Sequence, residues 1–168
     1  TFTWEEANIN IFKLSKVIKK NISEGDRCLL VSENRPEWFI SDFAIMLSGG
    51  ITVPAYTTYT ERDYEYIIDD CTPAIIIVSD NAQYKKVKNI IPKKSFIKKV
   101  IFFESIDHNS SDYELHLNDI LKDKEYEEKN FLDLKIERKS AACIIYTSGT
   151  QGNPKGVILS HGGILNNL

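Results

Sequence analysis

The sequence predicts an α/β fold, a parallel sheet flanked by helices on both faces. Three observations carry that prediction. Short apolar strand runs alternate with helical segments of about a dozen residues, the pattern of parallel strands joined by crossover helices. The strand runs are continuously apolar rather than alternating, as a sheet buried on both faces requires. Gly25, Gly49-Gly50, Pro54 and Pro73 punctuate the segments.

The first helix starts from Thr3-Trp4-Glu5-Glu6, a capping box, and places Ala7, Ile11, Leu14 and Ile18 on one face. Gly25 lies beyond its end, and Arg27 to Ser32 reads as a short buried strand. Pro36 suits the first position of a second helix, which Trp38, Phe39, Phe43, Ile45, Met46 and Leu47 make largely buried. Gly49-Gly50 ends it, and Ile51-Thr52-Val53 is a second strand, stopped by Pro54. Thr60 caps a third helix with Asp63 three residues on, and Tyr64, Ile67, Ile68 and Cys71 face inward. Pro73 closes it before a third strand, Ala74 to Val78. Asp80 starts a helix carrying Tyr84, Val87 and Ile91, and Val100 to Phe103 is a fourth strand.

Composition narrows the class. The 168 residues allow one domain or a piece of a larger one, and they suffice for a core without disulfide or metal staples. With 42% hydrophobic and 27% charged residues, the chain is an ordinary globular one. A net charge of -3 gives no electrostatic reason to expect nucleic acid as a partner. Cys28, Cys71 and Cys143 form no CxxC pair or zinc pattern, so a reduced, cytoplasmic chain is expected. The longest apolar run, Ala141 to Tyr146, is far short of a membrane span. The chain opens at Thr1 inside a helix cap and stops at Leu168 inside a helical pattern, so it reads as a fragment.

Residues 104–139 carry 11 acidic and 6 basic side chains and no Gly or Pro. They read as a charged surface excursion between two strands, with one short helix from Tyr113 to Leu121 that turns Leu117, Ile120 and Leu121 inward.

Five of the eight glycines lie in the last twenty residues. There an apolar strand, Ala142 to Tyr146, leads into Thr147-Ser148-Gly149-Thr150-Gln151-Gly152-Asn153-Pro154-Lys155-Gly156, and a second strand, Val157 to Leu159, follows. Glycines let successive backbone N–H groups turn toward an anion. Thr147, Ser148 and Thr150 add hydroxyl donors, Lys155 adds a positive charge, and the loop has no carboxylate. It is not a Walker A loop, because Pro154 precedes Lys155, Gly156 follows it, and a strand rather than a helix comes next. Nor do Gly149, Gly152 and Gly156 have dinucleotide-loop spacing. From these residues alone two readings stay open: a phosphate-binding loop, or a long polar hairpin whose glycines serve only turn geometry.

The run Tyr146 to Val157 closely resembles the phosphate-loop signature of the adenylate-forming superfamily, with Gln151 where that family usually has Thr. Gly25-Asp26-Arg27, Asn34-Arg35-Pro36-Glu37-Trp38, Gly49 to Pro54 and Tyr56 to Thr60 resemble the N-terminal region of its long-chain acyl-CoA synthetase branch. The Asn34–Trp38 and Val53–Tyr56 runs read as structural, a helix start and a strand end.

The resemblance implies a partial N-terminal AMP-binding domain over residues 1–168, ending just after the loop at 146–157. It implies a long-chain fatty acid–CoA ligase using ATP, Mg2+ and CoA, acting in the cytoplasm with room for peripheral contact with a membrane. Other adenylate-forming ligases, for medium-chain or aryl acids, and a non-catalytic phosphate-binding fragment are the alternatives. Thr147, Ser148, Gly149, Thr150, Gln151, Gly152 and Lys155 would meet the β- and γ-phosphates, Lys155 as the catalytic charge and Thr147 as a neighbour of Mg2+. His161 reads as a satisfied side chain at the start of the last helix. The family's adenine, ribose and acyl pockets follow the loop, so this chain alone is expected to be inactive.

Overall fold

A computed structural model describes residues 3–105, 112–122, 135–147 and 154–167. Among the described residues six helices, α1 (Trp4–Asn21), α2 (Pro36–Leu47), α3 (Glu61–Cys71), α4 (Asn81–Val87), α5 (Leu117–Lys122) and α6 (His161–Leu165), surround one sheet. Its strands are β1 (Arg27–Val31), β2 (Ile51–Ala55), β3 (Ile75–Val78), β4 (Lys99–Phe102), β5 (Glu114–His116), β6 (Ala141–Thr147) and β7 (Lys155–Ser160). They lie in the order β5-β4-β3-β1-β2-β6-β7, all neighbours parallel except the antiparallel pair β6–β7.

Covering both faces explains the unbroken apolar runs. Cys28, Leu30, Ile75, Ile77, Ile101 and Phe103 point to one face, where α1 and α2 supply Leu14, Ile18, Ile40 and Ile45. Leu29, Val31, Ile76, Val78, Val100 and Phe102 point to the other, where α3 and α4 supply Tyr64, Ile67, Ile68, Tyr84 and Val87. All four residues of β3 are fully buried, each worth about 1.5–3 kcal/mol relative to exposure.

The chain winds from β1 to β2 on one side, then returns past β1 to place β3 on the other. The carboxyl ends of β1 and β3 therefore face a crevice where the winding reverses, the usual ligand position in open α/β sheets. The capping boxes at Thr3/Glu6 and Thr60/Asp63 form as expected. Among the described residues no helix is long and apolar enough to cross a membrane. The three cysteines are free thiols, and burial pushes Cys71 up to about 12.

Some expectations shift. β2 runs through Pro54 to Ala55, with Pro54 opposite Leu30. On its other side β2 pairs with β6 at Thr52 and Cys143, and Pro54, which has no N–H, donates no ladder bond of its own. The fourth helix stops at Val87, and Ile91 opens a 3₁₀ turn (Ile91–Lys93), since Pro92 cannot continue a helix. Within the charged segment, Glu114–His116 joins β4 as a parallel strand, so the helix begins at Leu117 rather than Tyr113.

Candidate phosphate-loop site

The loop is carried by the β6–β7 hairpin. β6 runs parallel to β2, so its last residue, Thr147, stands at the carboxyl edge of the sheet. Thr147 and Lys155 are strand partners. The two side chains expected to meet phosphate thus flank the mouth of the loop, with Cα atoms about 4.5–5.5 Å apart. Both are exposed, and among the described residues no carboxylate pairs with Lys155. Ser148, Gly149, Thr150, Gln151 and Gly152 lie outside the described residues.

β7 begins at Lys155, two residues earlier than the apolar pattern indicates, and Gly156 is already a ladder position opposite Tyr146. Glycine is needed there for room. A Cβ at residue 156 would stand 2.8 Å from Ile144 Cγ2 and 3.3 Å from Tyr146 Cζ. Among the described residues, β7 rather than a helix follows the loop.

Beside the hairpin, an open cleft of about 500 Å³ runs along the carboxyl ends of β1, β2 and β6. Its wall includes Glu33, Trp38, Tyr56, Ile145 and Tyr146. Burial raises the Glu33 carboxyl, but its own backbone N–H, the Gln83 amide and the Arg35 charge win and hold it low. Gln83 donates Nε2 to Glu33 Oε1 at 3.0 Å, while its own buried Oε1 has no donor in reach among the described residues. Arg35 donates to Glu37 and to Glu104, each at 2.8 Å, and lies over the Phe103 ring. The Asn34–Trp38 run is thus a helix start tied to the end of β4.

A larger cleft, about 800 Å³, lies at the opposite, amino end of the sheet and includes His161. His161 is the first residue of α6, its N–H donates to Ser140 O at 3.1 Å, and burial lowers its imidazole. The length of β7 separates it from Lys155, roughly 17 Å along the strand, so it is no part of the loop's chemistry.

Pattern reading missed two contacts. Arg27 donates to Cys71 O at 2.7 Å and to Thr72 Oγ1 at 2.6 Å, closing the end of α3. The Tyr146 hydroxyl donates to Asp70 Oδ2 at 2.5 Å. Each spans more than 40 positions, and no local sequence signal pairs such residues.

The sequence matches the protein family described as "AMP-binding enzyme" over residues 1–168. The chain belongs to that family. It is 29% identical over 150 residues to Long-chain-fatty-acid–CoA ligase ACSBG1 of Homo sapiens, covering 88% of this chain and 21% of that protein. To Long chain acyl-CoA synthetase 3 of Arabidopsis thaliana it is 30% identical over 173 residues, covering 99% of this chain and 26% of that protein. This AMP-binding chain thus spans about a fifth to a quarter of the length of these relatives. Its fold superposes on acetoacetyl-CoA synthetase from Streptomyces lividans with a TM-score of 0.85 at 18% identity, over 98% of this chain and 26% of that one. On ATP-bound MatB from Rhodopseudomonas palustris the TM-score is 0.75 at 25% identity, over 98% and 30%. The mostly parallel, helix-flanked sheet is that of adenylate-forming enzymes.

Among the described residues no group of three or more His, Cys, Asp or Glu side chains could hold a metal. Thr147 offers one exposed hydroxyl at the loop's mouth. That suits a Mg2+ ion bound mainly through nucleotide phosphates and water, not one caged by protein.

Proposed function

We propose that the protein containing this chain is a long-chain fatty acid–CoA ligase and that this segment supplies its triphosphate-binding loop. The carrying observation is the Tyr146–Val157 signature on a strand-loop-strand hairpin, with Thr147 and Lys155 partnered across its mouth at the carboxyl edge. The names of the two relatives support a fatty acid as the substrate.

In the first step a carboxylate oxygen attacks the α-phosphorus of ATP. The bond between the α-phosphorus and its bridging oxygen breaks, and pyrophosphate leaves. In the second, the CoA sulfur attacks the acyl carbon, the carbon–oxygen bond of the adenylate breaks, AMP leaves, and the thiol proton is released. The loop acts on the first step. Negative charge grows on the departing pyrophosphate, and the loop's N–H groups with the hydroxyls of Thr147, Ser148 and Thr150 are the donors that would meet it. Gln151 donates an amide N–H, Gly149 and Gly152 leave the backbone open, and Lys155 contributes a full positive charge. Mg2+ beside Thr147 would supply further charge neutralisation to the phosphates.

Lys155→Ala in the full-length protein tests the reading. A charge-assisted contact made in the transition state is worth about 1.5–3 kcal/mol, or about ten- to a hundredfold in rate. ATP–pyrophosphate exchange is expected to slow by that factor. Thioester formation from pre-made acyl-adenylate should be unchanged, because pyrophosphate has already left. Lys155→Arg should restore part of the loss, since a flat fork replaces a point charge. Loss confined to the thioester step would overturn the phosphate role. Running exchange with palmitate against short-chain and aryl acids tests the fatty-acid assignment.

A further inference from the structure

We propose that Tyr146 and Asp70 are positioning residues for adenylation, a clasp that ties the mouth of the phosphate loop to helix α3. The proposal rests on the phosphate-loop reading above. Tyr146 immediately precedes Thr147, and its ladder partner Gly156 immediately follows Lys155. One side chain therefore sits at both roots of the loop. It is 3% exposed, and a Cβ at residue 156 would make a tight contact with its ring, 3.3 Å from Cζ. Its hydroxyl reaches off the sheet to Asp70 Oδ2 on α3, at 2.5 Å, the length of a charge-assisted O–H···O bond. Burial first, and then the Asp70 contact, push the phenol well above its ordinary range, so it stays a donor.

The helix end that receives this bond is itself held. Arg27, at the start of β1, donates to Cys71 O and Thr72 Oγ1, the residues directly after Asp70. Thr72 has a left-handed backbone, φ 44°, which these bonds hold in place. The sheet, the end of α3 and the hairpin thus form one connected support. A phosphate loop stabilises a transition state most when its donors are already placed. With the clasp removed, the ring still fills its space in the core, but the polar tie between the hairpin and α3 is lost.

The test uses the full-length protein with Tyr146→Phe, Asp70→Ala, Asp70→Asn and the Tyr146→Phe/Asp70→Ala pair, beside Lys155→Ala as a reference. Small misplacements of a reacting array cost about ten- to a hundredfold. Tyr146→Phe and Asp70→Ala should each slow ATP–pyrophosphate exchange about tenfold, with a raised KM for ATP. The pair should be no worse than either alone. Asp70→Asn, whose amide oxygen still accepts from the phenol, should restore most of the rate. Thioester formation from pre-made acyl-adenylate should be unaffected. Unchanged exchange in Tyr146→Phe while Lys155→Ala is slow would overturn the clasp and leave the phosphate reading standing. Equal losses in both half-reactions together with a lower Tm would also overturn it, as plain destabilisation. Unchanged exchange in Lys155→Ala would remove the phosphate reading and the clasp with it.

Discussion

Gly156 shows how one position joins fold and chemistry. In the sequence it belongs to a glycine-rich loop, where backbone freedom is the natural reason for it. In the structure it is a strand residue, and the reason is space. An added Cβ would press on a β-branched side chain, Ile144, which has little rotamer freedom to yield, and on the tied ring of Tyr146. Gly156→Ala is therefore expected to destabilise the hairpin by about 1–3 kcal/mol, the usual cost of overpacking, and to slow ATP–pyrophosphate exchange. Gly163→Ala is the control. A Cβ there would stand 3.4 Å from Ser160 Oγ, near ordinary contact, and thermal unfolding should hardly change.

At the scale of elements, α3 is the clearest case of local and distant control in one helix. Its start is local. Thr60 Oγ1 accepts from the Asp63 N–H, and Asp63 accepts from the Thr60 backbone at 2.8 Å. Thr60→Ala should cost about 0.5–2 kcal/mol, measured as a shift in the urea midpoint. The Thr60 hydroxyl first, and then its backbone N–H, lower the Asp63 carboxyl below 3.8. A depressed carboxylate contributes stability above its unfolded value and loses it as pH falls through the folded one. The deficit of Asp63→Asn against the parent should thus be full near neutral pH and shrink below about pH 3.8. The end of α3 is marked locally by Pro73 and the Thr72 N–H bond to Ile68 O, and is tied from a distance by Arg27, 44 positions away. The same division appears elsewhere. Pro36 marks the start of α2, and Pro92 explains the short α4, but the pairing of Glu114–His116 with β4 has no signal in a segment rich in charge.

For the whole molecule, on the proposed function the sheet edge and the cleft beside it would be one wall of a larger site. The resemblance to adenylate-forming enzymes puts the adenine, ribose and acyl pockets after the loop, and this chain spans about a fifth to a quarter of its relatives. The purified 168 residues are therefore expected to form no acyl-CoA from ATP, palmitate and CoA. Measurable thioester would overturn that placement of the remaining site.

The sequence by itself determined the α/β class, the four core strands, the capped helix starts and the glycine- and hydroxyl-rich composition of the loop. All of these are short-range: a strand is a run of apolar residues, a cap is a pair three apart, and a loop is a composition. Only the tertiary structure decided the strand order, the partnering of Thr147 with Lys155, and the Tyr146–Asp70 and Arg27–Thr72 contacts. Those depend on which face each crossover helix covers and on how the two sides of the core pack. Continuously apolar strands suit either face equally, so they carry no mark of that choice.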